Sequence, residues 1–150
     1  MNIAVGCDHG GFSLKQTVSD ELKKLGHAAV DCGALSFDAA DDYPDFARAV
    51  GAAIQRGDAQ RGIVICGSGI GASVAATKMR GIRAAVCHDT YSAHQGVEHD
   101  DMNVLCLGAR IVGDEVVKEL VRAFVAAKFS GEARHRRRLN KVLEIEKENQ

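Results

Sequence analysis

One stretch, residues 62–73 with the sequence GIVICGSGIGAS, constrains this chain more than any other. A short apolar run typical of a buried strand ends at Cys66, and Gly67, Gly69 and Gly71 follow before a helical pattern begins. A strand, a glycine loop and a helix in that order point backbone N–H groups and a helix N-terminus at an anion. The stretch therefore predicts a nucleophile or base, Cys66, beside a cradle for an oxyanion or a phosphate.

The same glycines allow two other interpretations. The spacing GxGxxA over residues 67–72, with Asp89 after the next strand, matches a dinucleotide-binding fingerprint. A tight turn in an α/β sheet would also use glycines. A dinucleotide is disfavoured because two strand–helix patterns precede the motif, and because residues 90–150 are too few for a second mononucleotide-binding half and a catalytic domain. We favour a small phosphorylated ligand.

Strand and helix patterns alternate along the chain. Apolar runs predict five strands, at residues 3–7, 28–32, 63–65, 82–87 and 104–107. Helical patterns occur at residues 13–25, 44–55, 74–79, 91–97, 115–127 and 133–147. The alternation predicts an α/β fold: a single Rossmann-like domain over residues 1–150, with a five-stranded parallel sheet, helices on both faces and an extended C-terminal helix. Residues 33–44 are predicted to form an acidic loop with Asp38, Asp41 and Asp42.

Composition narrows the class of partner. The chain has 150 residues, a hydrophobic fraction of 46% and a formal net charge of −1. This balance gives no general attraction to nucleic acid or to acidic membranes. No apolar run is long enough to span a bilayer, and the start of the chain lacks the features of a signal peptide. We therefore expect a cytoplasmic protein that has neither nucleic acid nor a membrane as a partner.

The five cysteines fit that expectation. They are odd in number and include no C-x-x-C pair, which argues against a disulfide framework. Those at positions 7, 32, 87 and 106 are interpreted as small hydrophobic residues of strands. Cys66 differs because glycines and a helix N-terminus follow it, an environment typical of reactive thiols. Neither the cysteines nor the six histidines have the spacing of metal ligands, so no metal is expected.

Polar residues at strand ends supply further candidates. Asp8 and His9 follow the first strand and should share a sheet edge with Cys66, although Asp8 could instead cap the first helix and His9 could be a surface residue. His99 and Asp100 precede the fifth strand, where a histidine flanked by carboxylates can act as an acid or base. An exposed polar turn is the alternative for that pair.

A basic cluster, RHRRR, occupies residues 134–138. Such clusters are usually solvated helix faces, and nucleic-acid binding would require interleaved aromatic residues that are missing here. Arg134 and Arg138 nevertheless share one helix face and could clamp a phosphate. The helix that carries them is long for so small a domain, and we expect it to dock on a second subunit.

Several motifs together carry a resemblance to a known family. The motifs are GCDHGGF at 6–12, DYP at 42–44, ICGSGIG at 65–71, GIRA at 81–84, EHDDMNVL at 98–105, GARIVG at 108–113 and the pair Arg134 and Arg138. In this combination and order, the chain resembles the RpiB/LacAB sugar-phosphate isomerases, and among them the type B ribose-5-phosphate isomerase branch. The match is collinear over nearly the whole chain.

The resemblance implies a homodimeric or tetrameric enzyme that interconverts ribose 5-phosphate and ribulose 5-phosphate without metal or cofactor. By position, Cys66 is the base that moves a proton between C1 and C2 through a cis-enediolate, and His99 is the acid that opens the furanose ring. Each site is shared between subunits. The remaining implied contacts are Asp8 to the sugar hydroxyls, Tyr43 along the sugar site, Ser68 and the amides of Gly67, Ser68, Gly69, Ile70 and Gly71 to the oxyanion, and His9, Arg110, Arg134 and Arg138 to the phosphate.

Two positions bear on how far the resemblance extends. One branch of the family uses a glutamate later in the loop as the base, but that position is Ala72 here, so the base is assigned to Cys66. The family usually has asparagine where this chain has Asp100, and a carboxylate accepts hydrogen bonds but cannot donate them. An allose- or galactose-6-phosphate isomerase, or a non-catalytic module that binds a dinucleotide or a sugar phosphate, therefore stays open as an alternative.

Overall fold

Five parallel strands form one sheet at the centre of the computed structural model, which describes residues 1–149. The strands are β1 (Asn2–Cys7), β2 (Ala28–Asp31), β3 (Arg61–Cys66), β4 (Ala84–Val86) and β5 (Val104–Gly108). The helices are α1 (Phe12–Lys24), α2 (Tyr43–Gln55), α3 (Ile70–Ala76), α4 (Thr90–Asp100), α5 (Asp114–Ala126) and α6 (Ala133–Glu148). The predicted α/β fold with a parallel five-stranded sheet and a C-terminal helix is confirmed.

The order of the strands creates a ligand-binding edge. The strands lie in the order β2-β1-β3-β5-β4, so the chain builds to one side of β1 first and then crosses to β3 on the other side. Open parallel sheets bind ligands at such a switch point, outside the carboxyl ends of the strands. The register pairs Cys7, the last residue of β1, with Ile65 of β3, so Asp8 and Cys66, the residues that follow them, lie side by side at that point.

Apolar side chains cover both faces of the sheet, as flanking helices require. On one face, residues such as Ile63, Ile65 and Leu105 belong to the core that includes α1, α4 and α5. On the other face, Val64 and Cys66 belong to the core that includes α2 and α3. Alternation along β3 thus directs the Cys66 side chain toward the α2 and α3 face.

The predicted fourth strand is too long. The sequence pattern predicts a strand over residues 82–87, but β4 covers only Ala84–Val86. Asn103 Oδ1 accepts the N–H of Arg83 at 2.8 Å, and the Asn103 side-chain amide donates to the carbonyl of Gly81 at 2.8 Å. These backbone groups are therefore satisfied by a side chain before the strand begins, which sequence periodicity does not reveal.

The predicted fourth helix is too short, and this matters for the candidate residues near its end. The helix was expected over residues 91–97, but α4 continues to Asp100, so His99 and Asp100 lie on its last turn rather than in a free turn. The helix ends at Asp101, which has a left-handed backbone with φ 52°. Aspartate tolerates that conformation better than most residues, so the helix ends without the glycine that would mark its end in the sequence.

Helix α6 lies against α4 and leaves part of its apolar side uncovered. Glu146 Oε1 accepts the N–H of Gly81 at 2.6 Å, and His135 is the helix's buried residue. Val142 and Ile145 are 51% and 59% exposed. Within residues 1–149 no helix, α6 included, has an apolar stretch of the length needed to cross a bilayer.

A buried ion pair joins α1 to α5. The Glu21 carboxylate is 2% exposed, and its Oε1 accepts a hydrogen bond from Arg122 Nε at 2.6 Å. Its Oε2 is buried and has no hydrogen-bond partner in the part of the chain that the structure describes. Lys24 Nζ lies 3.9 Å from Oε2, beyond hydrogen-bond distance. Arg122 therefore supplies the main compensation for this buried charge, and its loss costs more than the pair itself contributes.

We expect Arg122→Ala to lower the free energy of unfolding by about 1–3 kcal/mol, since Glu21 would stay buried without its partner while water reaches the half-exposed Arg122 position. Arg56→Ala is the matched control, because its pair with Asp58 is exposed on both sides, and its cost should be about 0.5 kcal/mol or less. Urea unfolding at one fixed protein concentration measures both variants. Equal losses in the two variants would contradict the role assigned to Arg122.

Candidate active site

A cleft of about 340 Å³ opens at the switch point between β1 and β3. It lies beyond the carboxyl ends of the strands, where the loops after β1, β3 and β5 meet. Its lining residues are Asp8, His9, Gly10, Tyr43, Cys66, Gly67, Ser68, Gly71, Arg110 and Ile111. Eight of the residues named in the sequence analysis are therefore brought together in one place.

The thiol of Cys66 is fixed at the floor of this cleft. The residue is 4% exposed, and the N–H of Gly69 donates to its Sγ at 3.0 Å. Gly69 has φ +81°, the left-handed backbone that glycine adopts without strain, and this lets the loop turn back over the sulfur. A backbone donor is thus already aimed at the atom that would carry negative charge in a thiolate.

The other four cysteines have a different environment. Burial raises the pKa of Cys7 and of Cys32, and it raises the pKa of Cys87 to about 11. Cys106 lies deep in the sheet, where burial raises its pKa as well. Burial therefore disfavours the thiolate form of all four.

Two amides of the glycine loop have partners inside the loop. The Gly69 N–H is bonded to Cys66, and the Ile70 N–H donates to Ser68 Oγ at 3.3 Å. The N–H groups of Gly67 and Ser68 form no hydrogen bond within residues 1–149. A Cβ at Gly10 would lie 2.9 Å from the Gly67 nitrogen, so the glycine at position 10 keeps that amide accessible.

Asp8 and His9 are held differently on the loop after β1. Asp8 is 5% exposed, and its Oδ1 accepts the Gly11 N–H at 3.0 Å. His9 is bonded to Asp41 twice, since Asp41 Oδ1 accepts its backbone N–H at 2.9 Å and lies 2.7 Å from its Nδ1. The raised pKa of His9 follows first from this side-chain hydrogen bond. Asp41 is a site residue that the sequence analysis placed only in an acidic loop, and no motif there indicated its partner.

Arg110 and Tyr43 close two sides of the cleft. The Arg110 N–H donates to the carbonyl of Gly67 at 3.0 Å, and a Cβ at Gly67 would lie 3.5 Å from the guanidinium carbon. The Tyr43 ring packs over Gly71, where a Cβ would come within 2.7 Å of it. The two side chains therefore border the glycine loop from two different elements. Helix α2 supplies Tyr43, and the loop after β5 supplies Arg110.

His99 and Asp100 lie at the amino end of the strands, opposite the end that carries Cys66. The register pairs Gly62 with Val104 and Cys66 with Gly108, so Cys66 lies at the carboxyl end of the sheet and the start of β5 lies about 13 Å away along the strands. Because α4 leads into β5, its last turn lies at the amino end. Within one chain, His99 and Cys66 therefore do not share a site.

His99 belongs to a second group of residues, which we call the histidine–arginine cluster: His99, Arg134, His135 and Arg138. The rings of His99 and His135 stack with centroids 4.0 Å apart and an interplanar angle of 27°. His135 is 1% exposed, and burial lowers its pKa. Arg134 and Arg138 are exposed on α6, and Arg134 Nε donates to Glu132 at 2.8 Å.

One group in the cleft has the composition of a metal site. Ligand atoms of Asp8, His9 and Asp41 lie within 4.8 Å of one another. His9 Nδ1 and one oxygen of each carboxylate already have hydrogen-bond partners in this arrangement. The geometry accordingly describes a hydrogen-bonded network, and we assign no metal to it.

Comparison with known proteins identifies the family. The family model for Ribose/Galactose Isomerase matches residues 3–142. Ribose-5-phosphate isomerase B of Escherichia coli is 43% identical over 144 residues, covering 96% of this chain and 95% of the relative. D-erythrulose-4-phosphate isomerase of Pectobacterium atrosepticum is 42% identical over 134 residues, covering 87% and 86%. The structure of Clostridium thermocellum ribose-5-phosphate isomerase B aligns over 100% of both chains with a TM-score of 0.95 and 45% identity. The chain belongs to the ribose/galactose isomerase family, and it is an isomerase.

Proposed function

We propose that this isomerase interconverts ribose 5-phosphate and ribulose 5-phosphate through a cis-enediolate, with Cys66 as the base. The observation that carries the proposal is the placement of the Cys66 thiol at the floor of the switch-point cleft, with the Gly69 amide 3.0 Å from its sulfur. The names of the relatives, ribose-5-phosphate isomerase B among them, support the same reaction.

The proposed chemistry is a proton transfer within the sugar. The Cys66 thiolate removes the proton from C2 of the open-chain aldose, and the electrons of that C–H bond form the C1–C2 double bond while the C1 carbonyl oxygen becomes an oxyanion. The proton of the C2 hydroxyl passes to the neighbouring C1 oxygen of the cis-enediolate, the thiol returns its own proton to C1, and the C2 oxygen becomes the ketone. No net oxidation or reduction of the substrate occurs, so the reaction balances without a cofactor.

Developing negative charge on the oxygens needs donors that are already in place. Gly67 and Ser68 line the cleft with Cys66, and their N–H groups, which form no hydrogen bond within residues 1–149, fit this role. The Ser68 hydroxyl and the amide of Gly71 complete the loop's contribution, while Gly69 and Ile70 support the loop itself through their internal bonds. Asp8 is buried beside Cys66 and is positioned to accept hydrogen bonds from the sugar hydroxyls.

We further propose that two copies of the chain form each site. The base and His99 lie at opposite edges of one sheet, so the ring-opening acid must come from a second copy. The same copy would bring Arg134 and Arg138, whose guanidiniums join His9 and Arg110 at the phosphate. The uncovered Val142 and Ile145 on α6 support a partner surface there. A homodimer, or a tetramer made of such dimers, satisfies this requirement.

The proposal also specifies the number of carbon atoms in the sugar, which is five. The family includes galactose isomerases by its description, and one relative is named for a four-carbon sugar phosphate. Asp100 lies beside His99 and can only accept hydrogen bonds when ionised. Allose 6-phosphate, galactose 6-phosphate and erythrulose 4-phosphate are therefore compared with ribose 5-phosphate in the assay below.

We expect the parent protein to convert ribose 5-phosphate in buffer without added metal or nicotinamide, and Cys66→Ala to lower kcat by at least roughly a thousandfold while KM or the binding constant changes only a few-fold. The reason is that alanine removes the proton acceptor and leaves the contacts to the phosphate. Cys32→Ala is the control, because Cys32 is a cysteine at the end of β2, outside the cleft. Turnover in Cys66→Ala equal to that of Cys32→Ala would assign the base to another residue.

We also expect Cys66 to react with iodoacetamide before the other cysteines, since burial keeps Cys7, Cys87 and Cys106 protonated and shielded. Inorganic phosphate or ribose 5-phosphate should slow the labelling of Cys66 by occupying the cleft. Peptide mapping after a short exposure gives the order of modification. If a peptide with Cys7 or Cys106 were labelled first, Cys66 would lack the reactivity that the proposed base requires.

A further inference from the structure

Asp41 holds His9 at the backbone and at the ring with a single oxygen. Its Oδ1 lies 2.9 Å from the His9 backbone nitrogen and 2.7 Å from Nδ1. A carboxylate oxygen only accepts, so Nδ1 must carry a proton in this contact. The Phe37 ring meets the His9 ring edge-on at 6.3 Å. The imidazole is thereby fixed in its orientation, and its other nitrogen, Nε2, has no hydrogen-bond partner within residues 1–149.

His9 is the partner that compensates the negative charge of Asp41. Its side chain is 12% exposed, and its Oδ2 is buried without a hydrogen-bond partner among the described residues. His9 is the one basic group within 4.0 Å of this carboxylate in residues 1–149. A partly buried carboxylate is stabilised by an adjacent positive charge, so the pair favours an imidazolium at His9.

We propose that Asp41 is a positioning residue that keeps His9 doubly protonated, with the Nε2–H group available as a charged donor to the phosphate of the substrate. This inference rests on the proposed function, in which His9 binds that phosphate. It extends that function because Asp41, a residue of the acidic loop, would control the pH range over which the phosphate is bound.

Other charged groups face His9 and determine how large the effect is. Asp8 adds a second negative charge from the same loop, and this also raises the pKa of His9. The remaining titratable or charged groups that line the cleft are Tyr43 from α2, Cys66 from β3 and Arg110 from the loop after β5. Desolvation of the ring lowers the pKa of His9, and the hydrogen bond that the ring donates to Asp41 outweighs this effect.

The direct test is the titration of His9 in the full-length protein by NMR, in the parent and in Asp41→Asn. Asparagine keeps the shape and one acceptor but removes the charge, so the pKa of His9 should fall. Asp38→Asn is the matched control, since it removes the same charge from the same loop and the Asp38 side chain bonds only to the N–H of Ala40. The Asp38 backbone carbonyl, which accepts the N–H of Asp41, is kept in this variant. The control should leave the pKa of His9 at the parent value.

The steady-state constants give a second readout that a merely structural role would not move. At low pH both proteins have a protonated His9, so KM for ribose 5-phosphate should be equal. As the pH rises through the His9 pKa of the variant, KM of Asp41→Asn should exceed that of the parent by roughly three- to tenfold. The gap should close again above the parent's His9 pKa. The ratio of the two KM values cancels the ionisation of the substrate, and kcat should change little.

A double-variant cycle separates an effect that acts through His9 from a general effect of Asp41→Asn on the loop. In a His9→Gln background, adding Asp41→Asn should leave KM unchanged, because Asp41 acts through His9. An unchanged His9 pKa in Asp41→Asn, a KM gap that does not vary with pH, or an additive double variant would each overturn the proposal. The His9 titration is measured without substrate, so its failure is distinct from an inactive parent, which would contradict the proposed function instead.

Discussion

The parallel direction of the five strands determines where each polar group of this chain can act. Both faces of the sheet are covered by helices and filled with apolar side chains, so reactive groups are confined to its two edges. The reversal of strand order between β1 and β3 opens a cleft at one edge. Asp8 and Cys66 meet there because the register places them side by side.

The same constraint separates the base from the proposed acid. Each helix runs back along the sheet, so the end of α4 and its His99 lie at the edge opposite Cys66. His99 is there combined with His135, which stacks on its ring, and with the arginines of α6. In the proposed function these two groups are half-sites, and the reaction requires two chains to bring them together.

Much of the fold could be predicted from the sequence because its signals are local. Short apolar runs alternate with helical patterns, and the glycines after Cys66 mark the loop that binds its sulfur. The order of the strands, with β5 between β3 and β4, depends on long-range pairing and has no local signal. The end of α4 was missed because Asp101 takes a left-handed conformation that sequence patterns associate with glycine.

The candidate site was predictable where its residues follow strands, and was not predictable where its contacts join distant parts of the chain. Residues that follow strands directly, such as Asp8, His9 and Cys66, could be assigned to one edge from the alternation alone. The contact between Asp41 and His9 joins positions that are 32 residues apart through an irregular loop, and only the folded chain brings them together. The resemblance to the isomerase family supplied the role proposed for His99, but the distance of His99 from Cys66 became evident only from the register of β3 and β5.

The central claim is that one site is built from two chains, and subunit exchange tests it most directly. Cys66→Ala and His99→Asn chains, each inactive on ribose 5-phosphate alone, are mixed under conditions in which native mass spectrometry shows exchange. The account predicts recovery to about one quarter of the parent activity, because half of the dimers are mixed and each mixed dimer has one intact site. Exchange of the parent with the double variant Cys66→Ala/His99→Asn should instead lower activity. No recovery after demonstrated exchange would contradict the account and would mean that Cys66 and His99 act within one chain.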